Sequence, residues 1–115
     1  VALLGFSQGG VMLTQLFRHQ PERYAAGVFF ASFAVDDTTE GGAERDQALA
    51  DIKPPLFWGR DPQDPVITQN LIDFTRRWLP AHFDVDARLY PHVGHSLSLE
   101  EIEDAAAFLR KNVTG

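Results

Sequence analysis

Four short runs suited to strands, each followed by a stretch suited to a helix, constrain this 115-residue chain more than any other feature. Residues 1–4, 25–31 and 56–59 are apolar nearly throughout, as expected of strands buried on both faces. Residues 84–90 (Asp-Val-Asp-Ala-Arg-Leu-Tyr) alternate polar and apolar, which predicts a half-exposed strand at a sheet edge. Between these runs, Leu13, Leu16 and Phe17 mark a helix over residues 8–19 that Pro21 stops. Ile67, Leu71, Phe74 and Trp78 form the apolar stripe of a later helix, which Pro80 is expected to close. Ser98 and Glu101 read as a capping box for the last helix, with Leu97 and Ile102 placed as its hydrophobic staple. Ile102, Ala105, Ala106, Leu109 and Val113 are its expected buried face. Strand and helix alternating in this way require crossover connections. The expected fold is therefore α/β, with a parallel sheet of about four βα units.

Residues 32–51 interrupt the rhythm. The run 36–42 is polar, acidic and glycine-containing, which predicts a long surface loop with a short helix near 43–50. A flap over a site is its functional alternative. The length suits one domain, expected to occupy residues 1–115. A net charge of −6 argues against nucleic acid or an anionic membrane as the main partner. No apolar run approaches the roughly 20 residues of a membrane span. With no cysteine, disulfides and thiol chemistry are excluded. Cytoplasm is the default expectation for the compartment.

Chemistry in open α/β sheets gathers at the carboxyl ends of the strands, and three of the four strand ends here carry suitable groups. Gly5-Phe6-Ser7-Gln8-Gly9 matches G-x-S-x-G between a strand and a helix, the setting of a nucleophile elbow. That makes Ser7 the candidate nucleophile, and the backbone N–H of Gln8 a donor to a developing oxyanion. Asp61 and Asp64 follow the third strand, and His92 and His95 follow the fourth. The chain order Ser, Asp, His is that of α/β-hydrolase triads. A serine hydroxyl is a weak nucleophile until a histidine accepts its proton and a carboxylate orients that histidine. On the residues alone Asp61 competes with Asp64 for the acid, and His92 with His95 for the base. His19 and His82 read as surface residues. The spacing offers no metal site, and no cofactor is implied.

The stretches GFSQGG, WGRDPQDPVI and YPHVGHSLS together resemble the phospholipase/carboxylesterase family of α/β-hydrolases, which includes acyl-protein thioesterases. The resemblance spans nearly the whole chain. Matched residue by residue, it implies Ser7 as nucleophile, Asp64 as acid and His95 as base. The implied chemistry is hydrolysis of a small-molecule acyl ester or thioester through an acyl-enzyme. Phe33 and Val66 become candidates for an acyl pocket, with ordinary core the alternative for both. Where the family usually has His-Gly before the acid turn, this chain has Trp58-Gly59, a change expected in the pocket wall rather than in the mechanism.

The family's N-terminal half, with its first strands and an oxyanion loop, has no counterpart in these residues. The expected architecture is thus the C-terminal half of an α/β-hydrolase fold, opening on a Val and on a strand that should lie inside a sheet. Such a strand would leave an apolar edge open to pairing. Either a second copy or an N-terminal segment is expected to cover it. The competing expectation is a non-catalytic fragment or binding module of the same fold.

Overall fold

The computed structural model describes residues 1–113. Strand and helix alternate throughout: β1 (Ala2–Phe6), α1 (Gln8–His19), β2 (Ala26–Phe30), α2 (Gly42–Ile52), β3 (Pro55–Arg60), α3 (Gln69–His82), β4 (Asp84–Leu89) and α4 (Leu99–Asn112). The strands form one parallel sheet in the order β1-β2-β3-β4. The fold is α/β, and every strand lies beside its neighbour in sequence.

Burial follows from that order. Every residue of β2 is buried, and the alternating edge strand β4 is mostly exposed. Successive β2 side chains point to opposite faces. Phe29 joins Leu13, Phe17, Leu49, Leu56, Trp58, Trp78 and Leu79 in a core beneath α1, α2 and α3. Val28 and Phe30 join Phe57, Tyr90, Ala105 and Phe108 beneath α4. α4 packs chiefly on β2 and β3, with Ala2 of β1 against the same cluster. Leu4 and Phe6 of β1 are 64% and 39% exposed, and Met12 and Leu16 of α1 are exposed as well. β1 is thus an apolar edge.

Several local expectations are corrected. The short helix expected near 43–50 is present and longer, spanning residues 42–52, and Leu49 of α2 is completely buried. Its full extent escapes an apolar-pattern reading because much of its anchorage is polar. The Arg18 Nε lies 3.0 Å from Asp46 Oδ1, and its guanidinium stacks 4.3 Å from the Trp78 ring centre. Arg18 Nη2 donates to the Val35 carbonyl at 2.8 Å, and Trp78 Nε1 donates to Asp46 Oδ2 at 3.2 Å. One buried arginine therefore ties α1 to α2, α3 and the segment after β2.

Pro80 lies inside α3 rather than closing it. In the last turn a missing N–H forfeits a single helical bond, and the Phe83 N–H to Leu79 carbonyl bond still closes the end. The buried face of α3 is Ile72, Thr75, Trp78 and Leu79, whereas Leu71 and Phe74 are only half-buried and Ile67 precedes the helix. Thr75 earns its burial by donating to the Leu71 carbonyl and accepting the Ala34 N–H. His82 is half-buried, stacked on Trp78. In α4, Ser98 Oγ accepts the Glu101 N–H at 3.1 Å, as expected of the cap. The Glu101 side chain does not complete the box; it is buried against Gly59. Ile102, expected in the core, is 46% exposed, and Ala105 and Phe108 carry the apolar buried face instead.

Candidate active site

Ser7 occupies the single-residue turn from β1 into α1, with φ 56° and ψ −120°. A non-glycine residue in that region is strained. The strain is held by the Ser7 N–H donating to the Phe30 carbonyl of β2 at 3.0 Å, while the Ser7 carbonyl accepts the Gly10 N–H at 3.0 Å. Tightness explains two of the glycines. A Cβ on Gly5 would lie 2.5 Å from the Gly9 carbonyl oxygen, and one on Gly10 would lie 2.2 Å from the Ser32 Cβ. A Cβ on Gly9 would meet nothing within 4 Å. The close-packing glycines are therefore the first of the motif and the one just after it. Ala31 (φ 45°) and His92 (φ 68°), which also follow strands at the carboxyl edge of the sheet, have positive φ as well, as does Lys53 (φ 50°), which caps α2 before β3.

The three loops at that edge bring Ser7, Asp64 and His95 together. His95 Nε2 lies 2.8 Å from Ser7 Oγ, and His95 Nδ1 lies 2.7 Å from Asp64 Oδ2. An ionised carboxylate can only accept, so Nδ1 carries the proton and Nε2 faces the serine hydroxyl as acceptor. The other oxygen of Asp64 accepts the Val66 N–H at 2.8 Å, which fixes the carboxylate's orientation. The Asp64 side chain is 3% exposed and that of His95 19%, so the pair interacts largely out of water. The Phe6 ring packs on the His95 imidazole with centres 5.2 Å apart.

The competitors fall elsewhere. Asp61 is buried and accepts the backbone N–H groups of Gln63 and Gly94, and His92 is exposed. The Gln8 N–H is the first amide of α1, where a helix supplies no internal acceptor. Phe33 is half-buried after β2, and Val66 is 61% exposed beside the acid. Trp58, expected in the pocket wall, is 4% exposed and packs edge-on to Phe29 in the core. Two further residues bear on the site: Phe6, at a variable position of the serine motif, and Gly94, directly before the base. Among the described residues, no three His, Asp or Glu side chains gather as metal ligands.

A hydroxyl, an imidazole and a buried carboxylate in series can pass a proton from oxygen to nitrogen with the resulting charge compensated. The phospholipase/carboxylesterase family profile matches residues 1–113, which is nearly the whole chain. The chain belongs to that family.

Among sequence relatives, an acyl-protein thioesterase 1 of Kluyveromyces lactis is 29% identical over 114 residues, covering 96% of this chain and 49% of the relative. An acyl-protein thioesterase 1 of Mycosarcoma maydis is 34% identical, covering 93% of this chain and 45% of the relative. The chain thus spans about half the length of the relatives it matches. Arabidopsis thaliana SOBER1 superposes with a TM-score of 0.77 at 20% identity, over 99% of this chain and 53% of that one. The Bacillus cereus carboxylesterase does so with 0.72 at 17%, over 97% and 50%. At such identities these two establish the fold. Among the described residues, no helix is long and apolar enough to cross a membrane.

Proposed function

We propose that this member of the phospholipase/carboxylesterase family is a serine hydrolase that cleaves acyl esters or thioesters through an acyl-enzyme. The observation that carries the reading is the Ser7–His95–Asp64 relay, with contacts of 2.8 and 2.7 Å. Ser7 Oγ attacks the acyl carbonyl as His95 Nε2 takes its proton, and Asp64 stabilises the imidazolium. The Gln8 N–H stabilises the tetrahedral oxyanion. Collapse expels the alcohol or thiol, which takes its proton from His95. Water, deprotonated by the same nitrogen, then releases the acid and restores Ser7. The thioesterase names of the relatives favour an acyl thioester among the substrates, and Phe33 and Val66 are proposed contacts for the acyl chain.

The test is a serine-directed fluorophosphonate on the protein as its gene encodes it. Ser7 labels, Asp64→Asn loses about 10⁴ in kcat, and His95→Ala labels no faster than background. An unlabelled Ser7 in the wild type sinks the reading.

One observation favours a second reading, in which residues 1–115 alone are non-catalytic. β1 ends the sheet with an apolar strand, and Val1, Leu4 and Phe6 are exposed. On this reading a strand from an N-terminal segment or a second copy covers that edge and supplies a further oxyanion donor. Light-scattering mass of the isolated 115-residue chain, alongside its labelling, separates the two readings. A stable, labelled monomer refutes the second.

A further inference from the structure

We propose that Asp61 is a positioning residue that clamps the acid turn and the base loop into one catalytic geometry. This deepens the reading of Ser7, His95 and Asp64 as a relay and rests on it.

The base loop runs from Tyr90 to Ser98. Its ends are anchored independently of the site. At one end the Tyr90 N–H donates to the Arg60 carbonyl and its hydroxyl to Asp104. At the other, Ser98 caps α4. Between these anchors the backbone turns through two left-handed residues, His92 (φ 68°) and Gly94 (φ 69°). Glycine takes that conformation without strain, and it also leaves the loop's path weakly determined by its own sequence. Asp61 Oδ2 supplies the missing restraint. It accepts the Gly94 N–H at 2.7 Å, one residue before His95.

The same residue holds the acid turn. Oδ1 accepts the Gln63 N–H at 2.9 Å, and the Asp61 carbonyl accepts the Asp64 N–H at 3.2 Å. Asp61 therefore bonds the residue before the acid, the acid itself and the residue before the base. It is 6% exposed. The amides of Gln63 and then Gly94 hold its carboxyl below the usual aspartate range, against the opposing effect of burial. An ionised carboxylate accepts on both oxygens, which is what a two-loop clamp needs. A displacement of about 1 Å at the reacting atoms costs roughly a hundredfold in rate. A residue that sets the His95 backbone is thus placed to control turnover without touching substrate.

The experiment compares wild type and Asp61→Asn in the protein as its gene encodes it. The carboxamide keeps the volume but turns one acceptor into a donor that faces an N–H. We expect kcat on an ester substrate to fall about 10–100-fold, with KM within about twofold. The fluorophosphonate labelling rate should fall in parallel, and the downfield Nδ1 proton resonance of His95 should shift or broaden. Wild-type labelling by a folded Asp61→Asn protein, with that resonance unmoved, overturns the inference and leaves the relay reading intact. Failure of wild-type Ser7 to label removes the relay and this inference with it. Should Asp61→Asn fail to fold, the wild-type Gly94 amide decides. A protected amide whose shift titrates with the Asp61 carboxyl upholds the clamp, and a freely exchanging one overturns it.

Discussion

Replacing Gly59 with alanine would put a methyl group into the side chain of Glu101. The added Cβ would lie 2.3 Å from Glu101 Oε2, 3.0 Å from Cδ and 3.1 Å from Cγ, whereas ordinary contact begins near 3.4 Å. The carboxylate would have to retreat by about 1 Å, the difference between the first and last of those distances. β3 cannot yield instead, because it is paired on both sides, to β2 and to β4. Overpacking of this kind costs roughly 1–3 kcal/mol. The lower half of that range is expected here, because both Glu101 oxygens lack hydrogen-bond partners and lose nothing by moving toward water. Removing the carboxylate removes the collision. In a Glu101→Ala background, Gly59→Ala should then cost less than about 0.5 kcal/mol, a coupling of about 1 kcal/mol between the two sites. Urea unfolding of the four proteins measures this, with unchanged m-values as the check that only stability has moved. Equal costs in the two backgrounds, within about 0.3–0.5 kcal/mol, would show that Gly59 is not there to admit Glu101.

The same carboxylate predicts a pH dependence. Burial raises the Glu101 carboxyl above the usual glutamate range. Its destabilising effect is absent below the unfolded-state value, grows as pH rises through the folded one, and is complete above it. Glu101→Gln should therefore raise Tm by a few degrees at pH 8 and not at pH 4; an equal gain at both would refute the cause. In α1, Gly10→Ala drives a methyl into Ser32 and should cost about 1–3 kcal/mol. Gly9→Ala meets open space and should gain up to about 1 kcal/mol of helix propensity. Thermal melting that ranks the two the other way contradicts the steric argument. Arg18→Met strips Asp46 of its ion-pair partner and should cost about 3 kcal/mol; a loss under about 1 kcal/mol in urea would mean the pair is not what fastens α2.

The parts of the fold that were legible in sequence are those where a local pattern and a global role coincide. β2 is apolar throughout because it is covered on both faces, and β4 is the edge strand its alternating sequence predicts, though its burial does not alternate and Leu89 is 57% exposed. Helix faces were harder to read. In α3 the true face turns about a buried threonine that bonds within its own helix and to Ala34, so hydrophobicity alone could not find it. α2 was read too short for a related reason, since a buried Arg18 and a partly exposed Asp46 hold it. Ile102 misled in the opposite direction, being apolar yet 46% exposed.

The site divides in the same way. Sequence by itself determined the βα order, the strand–turn–helix setting of Ser7, and the succession of serine, acid and histidine at three strand ends. Those follow from periodicity and from the chemistry a hydroxyl needs to become a nucleophile. Strand-end chemistry alone left Asp61 and Asp64 both open, three residues apart on one turn, and His92 and His95 likewise, while the resemblance of the motifs pointed to Asp64 and His95. The tertiary structure brings that second pair together where two loops meet. At that meeting Asp64 takes the imidazole of His95 at 2.7 Å, while Asp61 takes the amide of Gly94 at 2.7 Å. Two carboxylates of identical chemistry receive different partners because side-chain direction at a loop crossing is set by packing between distant segments, which strand and helix periodicity does not encode.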